Sequence, residues 1–549
     1  MFKLRSGGLL LAILLLFSGA GKLWGELFYE DSPEVSLLRR LYRRAGKVLP
    51  LSAYPVHGSD LAELGEKLST LKSGEDQLLL EELLDRLKPK EEEALFLHGS
   101  LAAAYEHRFR TGSTLVDDGA VKNGEDVRRA YLGFSPLLSL EGGVEKFTGP
   151  YTELQAELRP PWKEDFSPYN NFVPLPEVDI SFDLLSKGIF SWNGKHLDVS
   201  IGRDRVHFGH TPGASLYPSG RLPYQDGLRL SVPLGPFSFD YLLATIQPKK
   251  ASHDVDPNRN AKEQDSDAFG FMKDSNPTTI LTAVHRFQWN FGALKAGIGG
   301  TVVYARSNNM FLMTDILPVF IYHNADIRPN NLNMIFDLSW TFYPGFTLTG
   351  ILGFDDISAK ALGLPDGPTP TIPAGILQLE YSAAPGPVPD FLLEGGYTHY
   401  LWGNYAFGDA DEVSWGEAPL ARAIYRYAPN NQAILLPLTS PYGPGTIWGR
   451  LVSALDFPQF NLKIKADLLI LSKLDGVNLV DTPYAGDDEV KNGRRILYVS
   501  LDLPCTYTWK YLELLFSPAL LIKDRRAALE CTVGLHFRLG HGYRHGKAP

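Results

Sequence analysis

Residues 405–444 set Tyr405, Phe407, Trp415, Tyr425 and Tyr427 beside Asp409, Asp411, Glu412 and Glu417. Rings next to carboxylates suit carbohydrate: the CH face of a sugar stacks on the ring while its hydroxyls are hydrogen-bonded. The same residues serve equally as the small core of a segment folded inward, and their types do not separate the two. Arg203, Asp204, Arg205 and His207 form a second group. Its cations would contact acidic sugars, or else pair with carboxylates nearby. Asp355 and Asp356 form a third, able to take sugar hydroxyls. Calcium wants six or more oxygens, so two carboxylates alone make no metal site and none is expected. HExxH, GxSxG and P-loop patterns are missing, and the thirteen His are scattered. The chain therefore reads as a non-enzyme without a cofactor.

These groups must be held by strands. In residues 226–248, Leu228, Leu230, Val232 and Leu234 share one face, and Phe237, Phe239, Tyr241 and Leu243 one face of the next run. Arg229 and Asp240 lie opposite, and a tight Leu-Gly-Pro joins the two runs. A period of two with such a joint is a hairpin. From residue 98 onward about eighteen such runs follow, each the length of a tilted membrane strand. Their connections alternate. Residues 112–129, 161–174, 206–225, 249–276, 307–331, 357–373, 405–444 and 473–492 are long; those between, such as Gly235, Pro344 and Pro458, are short. Trp192, Trp289, Phe342, Tyr343, Tyr507 and Trp509 gather at the short-turn end like an interfacial girdle. An all-β transmembrane barrel of up-and-down antiparallel strands has this layout, with the Leu and Phe rows facing lipid and Arg229 and Asp240 the lumen.

The chain has 549 residues and a formal net charge of −10, which argues against a nucleic-acid partner. No internal stretch reaches the ~18 apolar residues of a spanning helix. Lys3 and Arg5 followed by the apolar Gly7–Phe17 and small residues read as a secretory signal over 1–25. Residues 26–97 read as a small α-helical bundle: Leu61, Leu64, Leu68 and Leu71 lie at helical spacing, and so do Leu79, Leu80, Leu83, Leu84 and Leu87. The bundle packs on itself or docks on the barrel's end. The barrel occupies 98–540, and 541–549 form a tail. Cys505 is read into a short turn and Cys531 into the last strand, roughly 20 Å apart along the wall. That exceeds the ~7 Å a disulfide allows, so two free thiols are expected.

Four stretches resemble the Wzi family of capsule-assembly outer-membrane proteins: "LPLSAYPVHGSDLAEL" from Leu49, "LDVSIGRDRVHFGHTPGASL" from Leu197, the block Asp315 to Ile357, and "PLTSPYGPGT" from Pro437. The second has Phe-Gly-His-Thr-Pro-Gly where the family has Trp-Gly-Pro-Gly. The resemblance implies a barrel with a periplasmic helical bundle in the bacterial outer membrane, a lectin-like hold on capsular polysaccharide, and no catalysis. Expected partners are then surface polysaccharide, outer-membrane lipids and the barrel-assembly machinery, with a monomeric chain. Arg203, Arg205, His207, Asp355, Asp356, Trp415, Tyr425 and Tyr427 are the candidate sugar contacts. The rival reading is a porin-like or substrate-specific channel.

Overall fold

The computed structural model describes residues 27–68, 74–87, 93–112, 129–131, 139–145, 151–159, 181–194, 196–210, 213–246, 278–307, 311–317, 330–363, 370–383, 390–404, 422–427, 434–457, 460–477, 479, 493–509 and 512–546. The signal segment and Trp415 lie outside these, as do the side chains of Tyr427 and of residues 93–112. Among the described residues, no helix is long and apolar enough to cross a membrane.

Among the described residues, twenty strand segments between Glu93 and Gly546 pair antiparallel in one closed ring. Neighbours in sequence are neighbours in the sheet, and strand Arg526–Gly546 closes on strand Glu93–Gly112. Segments Arg129–Tyr131 and Ser139–Glu145 both pair with Glu93–Gly112. Segments Arg495–Asp502 and Cys505–Trp509 both lie between Leu462–Leu474 and Leu512–Lys523. The hairpin at 226–248 turns at Gly235, with Leu234 opposite Phe237 and Gly235 at φ 64°, a left-handed value. Arg229 and Asp240 are buried inward, while Leu234 on the other face is 50% exposed. The outward rows form an apolar belt that includes Leu352, Leu377, Leu451 and Phe516. At the short-turn end Trp340, Phe342 and Phe346 touch in sequence, and Tyr381 follows 4.6 Å from Phe346.

Several boundaries differ from the sequence reading. The first strand begins at Glu93, before 98, and the last runs to Gly546, past 540. Each supplies the other's backbone partners, Phe96 opposite Arg544 and Leu97 opposite Tyr543, so pairing outlasts the apolar pattern. "EGGVE" (141–145), read as a turn, is strand. Gly142 and Gly143 carry no side chain to alternate, yet both pair on two sides. Cys505 also lies in a strand rather than a turn. Pro504 interrupts the ladder without reversing the chain, its carbonyl accepting from Lys465 N at 2.9 Å. Cys505 thus faces Phe516, which faces Val533, two residues from Cys531. The thiols stand two strands apart, about 10 Å sideways, and not 20 Å up the wall. Both are free, on the outward row shared with Tyr507 and Leu529.

Helices α1 (Pro33–Arg44), α2 (Gly58–Glu66) and α3 (Gly74–Leu87) bury Val35, Leu38, Leu41, Leu61, Leu64, Leu80, Leu83 and Leu87 against one another. Asp60, in the first turn of α2, accepts from Asn193 of the wall at 3.1 Å. A short helix α4 (Met313–Ile316) lies on the outer side of the wall. There Arg306 grips Asp315 at 2.9 and 2.6 Å, and Tyr241 Oη donates to the Ile316 carbonyl at 2.8 Å. By register Tyr241, Leu281, Ala283, Val302 and Tyr304 point outward, yet all are buried. Phe311 and Met313 are exposed beyond them.

Candidate functional site

The lumen is where most of the inward polar residues meet partners. At the short-turn end α1 crosses the mouth. Arg43 is buried and donates to Glu380, to Ser382 Oγ at 2.5 Å and to Thr347 Oγ1 at 3.3 Å. Arg44 donates to the Ala383 carbonyl at 2.8 Å. The chain then enters the barrel as an extended segment whose carbonyls the wall captures. Lys295 Nζ donates to Leu49 O and Leu51 O at 2.9 and 2.8 Å, Gln288 to Pro50 O at 2.8 Å, and Arg229 to Pro55 O. A buried ammonium is costly unless such acceptors surround it, so these contacts bind wall and segment together.

A second inward element comes from the outer side. Residues 206–210 and 213–224 descend into the lumen, where His207–Phe208 pair with Tyr54–Ala53. Gly209 N donates to Ser52 O at 2.8 Å. His210 donates to Asp337, which also takes Arg286 at 2.8 and 3.1 Å. Burial, aided by the nearby Lys295 charge, pushes His210 down to about 3 against the pull of Asp337, so the imidazole is neutral and this latch does not titrate near neutral pH. Ala214 is held at both ends: its N–H donates to Glu394 at 2.6 Å and its carbonyl accepts from Gln378 at 2.9 Å.

Two further elements fill the outer half. Residues 399–404 bury Leu401 and Trp402, and Trp402 Nε1 donates to Thr439 at 3.1 Å. Residues 438–445 place Tyr442 against Trp448, with Lys473 donating to Tyr442 O at 2.8 Å. Together with Phe208, Leu216 and Tyr217 these side chains form one apolar cluster inside the ring, packed on inward wall residues such as Ile351, Ile376 and Leu471. Toward the mouth a cavity of about 1210 Å³ opens beside α2, lined in part by Asp60, Asp198, Arg229 and Asp240.

The sequence candidates do not converge on one surface. Arg203 is bidentate to Asp226 at 2.6 and 2.8 Å and lies over the Tyr224 ring. Arg205 pairs with Asp31 at 2.5 Å and covers Tyr29. His207 is buried, its Nδ1 accepting from Gly220 N at 3.2 Å. Tyr425 is buried, its hydroxyl on the Tyr224 carbonyl, in a hairpin of Ile424–Tyr427 with Ile434–Pro437. Asp355 is buried under Asn333 and the Gly403 N–H, and Asp356 is beside it, half-buried. The residues the sequence reading missed are the plug contacts: Lys295, Gln288, Asp337, Gln378 and Glu394. Their inward register was readable, but the groups of the inward segments that they hold are more than a hundred positions away.

No family model matches the chain, and no curated protein does. Among solved structures it is similar to Wzi of Escherichia coli, described as an outer membrane protein involved in group 1 capsule assembly and a carbohydrate-binding β-barrel. The TM-score is 0.54 at 13% identity, over 93% of this chain and 99% of that one. It is also similar to OccK2 (OpdF) of Pseudomonas aeruginosa, at a TM-score of 0.41 and 12% identity over 81% of this chain and 98% of that one. A TM-score of 0.38 and 13% identity, over 83% and 100%, relate it to OccAB4 of Acinetobacter baumannii. The chain has the fold of the β-barrels of the bacterial outer membrane.

Proposed function

We propose that the protein is a Wzi-type outer-membrane barrel of eighteen strands that holds surface polysaccharide and performs no catalysis. The observation that carries this reading is the apolar cluster inside the ring. A conducting lumen needs a continuous wet path, and an apolar cluster inside the ring that buries Phe208, Leu216, Tyr217, Trp402 and Tyr442 speaks against one. The helical bundle over the mouth supports the same reading. Tyr425 is buried, so Trp415 and Tyr427 are the rings proposed as sugar contacts, with Arg203 and Arg205 proposed as cationic contacts. The barrel-assembly machinery inserts the chain, which works as a monomer among outer-membrane lipids.

The test is a strain lacking the protein, complemented by the wild type or by Trp415→Ala with Tyr427→Ala. Loss of cell-bound polysaccharide into the medium, restored by the wild type and only in part by the double variant, is expected. Unchanged cell-bound polysaccharide with lowered uptake of a small solute would favour the channel instead.

A further inference from the structure

Asp355 and Asp356 follow strand Phe346–Phe354 at the long-loop end of the wall. Asp355 is 6% exposed. One of its oxygens takes the Asn333 amide and the other the Gly403 N–H at 3.0 Å. Asn331 also reaches Asp355, and its Nδ2 donates to the Asn404 carbonyl at 3.2 Å. Strand Asn330–Tyr343, the start of the loop after Phe354 and the segment 399–404 therefore meet at one polar cluster. Neither carboxylate has a basic partner among the described residues.

The cluster has polar atoms left over. Asn333 is 1% exposed and Asn404 fully buried. The Asn333 Oδ1 and both side-chain polar atoms of Asn404 have no hydrogen-bond partner. Leaving such groups buried and unpaired is costly. Burial and the adjacent Asp356 push the Asp355 carboxyl well up, and burial pushes Asp356 up to about 7. Excess oxygens, two neighbouring carboxylates and no cationic side chain describe a site that lacks positive charge.

We infer that Asp355, Asp356, Asn333 and Asn404 bind a hard divalent cation of calcium size. Two carboxylates supply up to about four oxygens and two amides two more, near the six to eight that calcium takes and more than magnesium usually draws from protein. The amide of Asn333, free to turn over, can present its oxygen while Asp355 keeps the Gly403 N–H. The ion would tie segment 399–404 to the wall and so fix the outer end of the plug. Sequence alone offered only the two carboxylates; the amide oxygens come from residues distant in the chain.

Equilibrium dialysis of the detergent-solubilised full chain against radioactive calcium tests the assignment. The wild type is expected to bind one ion that Asp356→Asn and Asn404→Ala each weaken at least tenfold. Both variants are first checked for the heat-modifiable gel migration of a folded barrel. If either fails to fold, the wild type alone still decides, through a calcium-dependent rise in its melting temperature. A wild type that binds no calcium at millimolar concentration overturns the inference, and so does binding that both folded variants retain.

Discussion

At the residue scale, several inward polar side chains of this barrel hold the chain's own backbone. Lys295, Arg229 and Gln288 hold carbonyls of residues 49–55, a use for which the sequence carries no local signal. The Asp355–Asp356 pair makes a pH prediction. An acid whose pKa rises on folding binds more protons in the native state than unfolded, between its unfolded value near ~3.9 and its folded value. Its contribution therefore favours the fold at low pH and is lost as pH climbs toward about 7, the value of Asp356. In chelator, the melting temperature is expected to fall from about pH 5 to about pH 8, and Asp356→Asn to flatten that fall. A wild-type profile identical to that of the variant would contradict the placement of the pair.

At the scale of elements, strands were legible where one face meets lipid, because the period of two survives there. The 226–248 hairpin was read to the turn, and the Leu spacing of α2 and α3 was read as helix. Failures occurred where side chains do not report pairing. Gly142 and Gly143 hid a strand, and Pro504 imitated a turn. The descent of 206–210 and 213–224 was not readable, since His207 finds Tyr54 only once the ring has closed. Helix α4 was equally hidden; it depends on one ion pair on the outward wall. Removing one partner of a buried pair costs about 3–5 kcal/mol. Asp315→Asn is thus expected to destabilise the barrel in chemical unfolding by about that amount, while Arg306→Met with Asp315→Leu recovers most of it. Equal losses in the single and double variants would place the helix elsewhere.

At the scale of the whole molecule, the fold is a wall with two kinds of filling: residues 27–68 from the mouth, and segments 206–210, 213–224, 399–404 and 438–445 from the outer side. They meet near Ser52, whose carbonyl takes Gly209 N and whose hydroxyl neighbours Arg286 and Gln288. Helical and strand periods differ along the sequence, but the interlock of wall and filling consists of non-local backbone contacts that leave no local signal. Closure of the lumen is what divides a polysaccharide-holding barrel from a channel. Single-channel recording in planar bilayers addresses it directly, comparing the full mature chain with one lacking residues 27–92. The full chain is expected to show no steady conductance, and the truncated chain at most brief flickers, because the cluster of Phe208, Leu216, Tyr217, Trp402 and Tyr442 remains. A full-length chain that conducts steadily, with a step unchanged by the truncation, would contradict the account.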